Sequence, residues 1–199
     1  RPPHLCGVAL ETLRENAKGL ENLSAAQGDA TNLGVFPDDA FDAVLALGPM
    51  YHLYAPGDWN RALDEAIRVT KPGGLIFTAF LSVYAILYAS CLSGNFREGL
   101  AENFDGDFRV RHFEEQGFTG FDISEFEALF DGKPVREIAL AGTDSVLELA
   151  KRMNGFSLPD EEFEAFVRYH LHTCEIRELL GSHSHLLHIC RKQDGRTNR

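Results

Sequence analysis

The chain has 199 residues, enough for one domain with a sizeable core or for one domain with a small lid. Its formal net charge is -11 and its basic residues do not cluster (Arg109 and Arg111 sit beside Glu114 and Glu115), which argues against a nucleic-acid backbone as partner. The four cysteines, Cys6, Cys91, Cys174 and Cys190, lack metal-type spacing and read as reduced thiols. The longest apolar stretch, Leu75 to Leu92, is interrupted by Thr78, Ser82, Ser90 and two tyrosines, so it reads as strand plus helix rather than a membrane span. With no signal peptide in view, the expected location is cytoplasmic, with no membrane partner.

Taken in order, Leu5 to Leu10 predicts a short strand and Glu11 to Ala17 a helix closed by Lys18-Gly19. Leu23 to Gln27 predicts a strand ending at Gly28-Asp29-Ala30, followed by a loop from Leu33 to Asp39. Phe41 to Leu47 is nearly continuously apolar, as expected of a strand covered on both faces, and Gly48-Pro49 stops it. Asp58 to Val69 predicts a helix with Asp58 as N-cap and Trp59, Ala62, Leu63, Ala66 and Ile67 on one apolar stripe. Lys71-Pro72-Gly73-Gly74 then turns into a strand from Leu75 to Phe80. Short apolar runs alternating with helical pattern imply an α/β unit with a parallel sheet, and ligands lie beyond the carboxyl ends of such strands.

Beyond Phe80, Tyr84, Leu87, Tyr88 and Cys91 share a helical face between Val83 and Glu102. Phe108 to Phe113 predicts an extended segment, and Asp122 or Ser124 caps a helix through Phe130. Val135 to Leu140 predicts a strand, and Thr143-Asp144-Ser145 opens a helix to about Met153. A long helix from Pro159 to Leu180 carries the stripe Phe163, Phe166, Val167, His170, Leu171 and Cys174. Ser184 to Lys192 is the final strand. With strand alternation His183, just before it, and His185 share a face and His188 takes the other, an arrangement that spacing alone does not make a metal site, and no metal is expected.

Gly-Asp-Ala at 28–30, Phe-Asp-x-Val at 41–44, Tyr-His-Leu at 51–53 and Lys-Pro-Gly-Gly at 71–74 stand in one order. That ordered set resembles the class I S-adenosylmethionine-dependent methyltransferases, in the branch with a Leu-Gly-Pro-x-Tyr-His-Leu segment after the fourth strand. Leu179-Leu180-Gly181 and His185-Leu186-Leu187 resemble the end of the same branch. The resemblance implies a Rossmann-like parallel sheet with an antiparallel final strand, helices on both faces and a helical lid. Residues 1–80 and 133–199 would form the core, and 81–132 the lid on the substrate side. It also implies S-adenosylmethionine as cofactor.

The family's roles map onto this chain as follows. The acid that accepts from the ribose hydroxyls would be Glu11, since Ala9, the other position that matches, has no carboxylate; a helix-start acid is the alternative for Glu11. Asp29 would accept from the adenine amino group and the Ala30 amide would reach a ring nitrogen, against the alternative of an Asx-turn. Leu47 and Gly48 would pass their backbone along the cofactor. Tyr51 and His52 would position the substrate, with His52 a general-base candidate against a turn-capping role. Phe36 reads as a core aromatic, with packing on the adenine face as the alternative, Trp59 as core rather than a ligand contact, and Asp42 as structural. No Gly-x-Gly occurs in the chain, so the family's first strand and glycine-rich turn are expected to be missing from it.

These features imply methyl transfer to a small-molecule acceptor by direct displacement, with a homodimer as one assembly. A truncated or degenerate domain without cofactor is the alternative. A nicotinamide-dependent oxidoreductase shares the alternation of elements but lacks its phosphate fingerprint here.

Overall fold

The computed structural model describes residues 3–114 and 116–194, with side chains described from residue 10 onward. Helix α1 (Pro3–Asn16) comes first. Strand β1 (Phe41–Ala46), a 3-10 turn (Pro49–Tyr51), α2 (Pro56–Val69) and β2 (Thr70–Ser82) form a β-α-β unit. Helices α3 (Val83–Leu92) and α4 (Phe96–Asn103) follow, then β3 (Gly120–Phe121), α5 (Ile123–Ala128) and β4 (Val135–Gly142). Helices α6 (Val146–Ala150), α7 (Asp160–Thr173) and α8 (Arg177–Leu180) lead into β5 (His185–Lys192).

The sheet order is β1-β2-β5-β4, with β3 pairing on the end of β2. Strands β1, β2 and β3 are parallel. Strand β5 runs antiparallel to both β2 and β4, so β5 alone is reversed, as expected of the last strand. Leu81 pairs with His185 and with Gly120, and Gly142 pairs with Leu186. The carboxyl ends of β2, β3 and β4 and the start of β5 therefore meet along one edge.

Helix α2 forms because its stripe is long and regular. Trp59, Ala62, Leu63, Ala66 and Ile67 are all buried, against a core that includes Ile76, Phe80, Phe126, Leu186 and Cys190. Its cap differs from expectation. Pro56 starts the helix after Ala55, and Asp58 lies inside the first turn, paired with Arg61. Trp59 is core, as its pattern implied, and its indole N–H donates to the Leu53 carbonyl at 2.6 Å.

Four expectations give way. Leu5 to Leu10 lies within α1, not a strand: a helix satisfies its backbone internally, whereas a strand there would need a neighbour. Leu23 to Gln27 forms no strand, and the chain makes only an isolated bridge between Asp29 and Asn32. Strand β1 is not covered on both faces. It is an edge strand among the described residues, and Leu45 is 62% exposed. The long helix to Leu180 is split into α7 and α8, and its stripe does not face a core: Phe163, Val167 and Leu171 are exposed, Leu171 at 70%. The Cys174 carbonyl after α7 instead accepts from Gly142 N at 2.8 Å, which ties the break to the end of β4.

Smaller departures follow the same logic. Lys71 to Gly74 lies inside β2 as an irregularity opposite Phe41 and Ala43. Phe108 to Phe113 is irregular, with one bridge from Phe104 to Val110. Asp122, not Ser124, caps α5, accepting from Ser124 N at 2.8 Å.

Candidate functional site at the carboxyl edge of the sheet

The turn after β1 is built to hold its shape. Tyr51 N donates to Gly48 O at 3.1 Å and His52 N to Pro49 O at 3.0 Å, closing the 3-10 turn. Thr119, just before β3, fixes it from outside: its amide donates to Tyr51 O at 2.9 Å and its hydroxyl to Leu53 O at 3.1 Å. Met50 and Leu53 are buried in the core, so Tyr51 is held at the strand tips with its phenol half-buried.

Beside it lies a cavity of about 510 Å³, within the usual range for small-molecule sites. Tyr51, Leu81, His185, Arg152 and Glu148 line it, together with one face of α3. That face is Ala85, Ile86, Ala89 and Ser90, not the aromatic face that periodicity singled out. Tyr88 points largely to solvent, and the Tyr84 hydroxyl donates to Asp122 at 2.5 Å, which with burial pushes its pKa up to about 12. Gly120 makes the seat for α3: a Cβ there would come within 2.8 Å of the Val83 backbone.

Asp144 lies behind the lining residues Ser184 and His185. Its carboxylate accepts from Ser184 N at 2.8 Å, from His185 N at 3.1 Å and from His185 Nδ1 at 2.7 Å. The Tyr51 and His185 rings meet edge to face at 5.8 Å. Burial, and then the charge of Asp144, raise the Tyr51 pKa above the ordinary phenol value. Tyr51 therefore keeps its proton at neutral pH and can donate a hydrogen bond. His185 was legible only as one of three C-terminal histidines. The three do not converge: His183 Nδ1 lies 2.9 Å from Leu179 O, His185 holds Asp144, and His188 Nε2 lies 3.0 Å from Glu137.

The remaining sequence-predicted residues are dispersed. His52 is exposed, its ring 5.3 Å from Phe118, and it does not line the cavity. Glu11 lies in the middle of α1 on an exposed face, so it is neither a strand-end acid nor a helix-start acid. Asp29 Oδ1 accepts from Thr31 N at 2.9 Å and Thr31 Oγ1 at 2.8 Å, which is the Asx-turn alternative. Ala30 packs against the cluster that contains Met50 and Leu53, which brings the 28–31 turn to the β1 tip. Leu47 is exposed and Gly48 half-buried, and a Cβ built on Gly28 or on Gly48 would meet nothing within 4 Å. The backbone at both positions is thus open to a ligand lying across it, which fits an adenosine-bearing cofactor in that respect. Phe36 is exposed and packs on Phe41 at 5.1 Å, and Asp42 pairs with Lys71 at 2.8 Å.

Comparison with known proteins agrees with this architecture. The family described as "Methyltransferase domain" matches residues 4–78. A demethylmenaquinone methyltransferase of Streptomyces avermitilis is 42% identical over 71 residues, which is 36% of this chain and 29% of that protein. The chain thus matches under a third of the length of this relative. A SAM-dependent methyltransferase of Methanosarcina mazei has the same fold, with a TM-score of 0.52 and 15% identity over 93% of this chain and 77% of that one. The cyclase SpnF matches similarly, with a TM-score of 0.51 and 16% identity over 96% of this chain and 64% of that one. The fold is the Rossmann-like fold of class I S-adenosylmethionine-dependent methyltransferases. The resemblance read from the ordered motifs is borne out: residues 4–78 match the methyltransferase-domain family, and the chain as a whole takes that fold.

Proposed function

We propose that the chain contributes to S-adenosylmethionine-dependent methyl transfer to a small-molecule acceptor. The observation that carries this reading is the pairing of an open backbone at Gly48 with an adjoining cavity behind Tyr51, both at the tips of parallel strands. Asp29, Ala30, Leu47 and Gly48 would hold the adenosine end of the cofactor; Glu11, set within α1, has no part in this. The cofactor supplies a sulfonium-activated methyl group, so alignment of the acceptor is the protein's main task.

Tyr51 serves that task as a hydrogen-bond donor to the acceptor, whereas His52, 5.3 Å from the lining residue Phe118, lies outside the lining. Residues 81–132, with α3 as their inner wall, form the acceptor side. The match to a demethylmenaquinone methyltransferase supports an acceptor with an apolar ring system, in keeping with Leu81, Ala85 and Ile86 in the lining. The likeness to a cyclase is the reason the fold alone does not settle the reaction.

Titration calorimetry with S-adenosylhomocysteine tests the reading. Gly48→Val is the informative variant: φ at Gly48 is -141° and its Cβ would touch nothing, so the chain should fold normally. The cofactor product should bind to the parent chain and at least about tenfold more weakly to this variant, a loss of about 1.4 kcal/mol. Equal affinity for both, or no binding to either, would overturn the assignment.

A further inference from the structure

On the cavity wall, His185, with Asp144 behind it, has the chemistry of a proton acceptor. An ionised carboxylate only accepts hydrogen bonds, so Asp144 Oδ2, at 2.7 Å from His185 Nδ1, holds the proton on that nitrogen. The lone pair of the neutral ring then sits on Nε2. Among the described residues Nε2 has no hydrogen-bond partner, and the His185 side chain is 43% exposed where it lines the cavity.

Asp144 is not free to swing away. Two backbone amides, of Ser184 and His185, fix both of its oxygens, and its side chain is only 19% exposed. The two residues are also held by separate strands. Asp144 follows β4 and precedes the Ser145 cap of α6, while His185 opens β5 opposite Leu81. Thr143 N adds a bond to His185 O at 3.0 Å. The arrangement is the orienting half of a catalytic triad, with the cavity in place of the nucleophile.

We propose that His185, positioned by Asp144, is the general base of this cavity and takes the proton of an acceptor carrying an O–H or N–H. The proposal rests on the methyl-transfer reading. As the acceptor's oxygen or nitrogen forms its bond to the methyl carbon, the carbon–sulfur bond of the sulfonium donor breaks and leaves its electron pair on sulfur. The acceptor's proton passes to Nε2, and the carboxylate of Asp144 matches the imidazolium charge. Tyr51, on the same wall and holding its own proton, donates to the acceptor and does not compete for that role.

The test reads protonation first. In the chain labelled with 15N-histidine, with His185 identified by its loss in His185→Gln, two-bond correlation spectra at alkaline pH should show the Nδ1–H tautomer. Asp144→Asn should shift it toward Nε2–H, and acylation of His185 by diethyl pyrocarbonate, mapped by mass spectrometry, should slow by roughly tenfold. An Nε2–H tautomer in the parent chain, or acylation unaffected by Asp144→Asn in a variant whose circular dichroism is unchanged, overturns the proposal. Calorimetry separates the two readings. The parent chain should bind S-adenosylhomocysteine. Absence of that binding in the parent chain overturns the methyl-transfer reading, whereas an incorrect tautomer overturns the base alone.

Discussion

His188 and Gly142 show how much one residue controls here. His188 is buried, stacked on Phe130 at 4.1 Å, with Nε2 on Glu137 and Nδ1 without a partner among the described residues. Burial lowers its pKa, and the Glu137 carboxylate offsets only part of that. The unfolded chain therefore binds the proton first. Stability is at its full value above the unfolded pKa of about 6.5 and is lost as pH falls from there toward the lower folded value. His188→Phe keeps the stack and removes the titration, so urea midpoints between pH 7.5 and 5 should vary less in the variant than in the parent chain. A parent chain whose stability rises on acidification through that window would refute the sign. Gly142 packs its α-carbon against the His183 ring so closely that a Cβ would collide with it. His183 is buried and held by Leu179, so it cannot yield cheaply. Gly142→Ala should cost about 1–3 kcal/mol, read from the same denaturation curves.

Among the elements, α2 and α3 bound the legibility of the sequence. The α2 stripe was readable because burial against one sheet face imposes a 3.6-residue period on large apolar residues. The working face of α3 was not, because a wall of Ala85, Ile86, Ala89 and Ser90 leaves room for a ligand by being small, and small residues carry no hydrophobic signal. The same limit hid the Asp144–His185 pair. Its members are 41 residues apart and meet only because β4 and β5 are neighbours. Residues adjacent in sequence, such as Tyr51 and His52, were found together, yet only Tyr51 lines the cavity. Helix α5 gives the prediction at this scale. Asp122 caps it through Ser124 and also accepts from Tyr84, which joins the cap to α3. Asp122→Ala should lower stability by about 1 kcal/mol from the lost cap alone. It should also bring one tyrosine's ultraviolet titration down from about 12 toward the ordinary phenol value near 10. A spectrum in which no tyrosine moves would mean that the bond does not form.

At the scale of the molecule, the sheet is asymmetric. Strands β2 and β5 are bonded on both sides, whereas the edge strands β1 and β4 each carry one partner among the described residues, and β1 with the residue after it leaves Phe41, Leu45 and Leu47 exposed. The apolar run of β1 announced the strand but not its surroundings: Phe41 and Leu45 are exposed, and neither α1 nor the 17–40 segment supplies a strand. An exposed apolar edge is a template for pairing with another chain. In the isolated 199-residue chain, Leu45→Lys should leave the unfolding free energy within about 0.5 kcal/mol, because the side chain is already in water. It should also reduce concentration-dependent light scattering, because a charge on an edge strand opposes edge-to-edge association. If the substitution instead unfolds the chain by several kcal/mol, Leu45 is covered in solution and the free edge is an incorrect description. If scattering is unchanged while stability holds, self-association proceeds through another surface, and the exposed Phe163, Val167 and Leu171 on α7 become the place to substitute next.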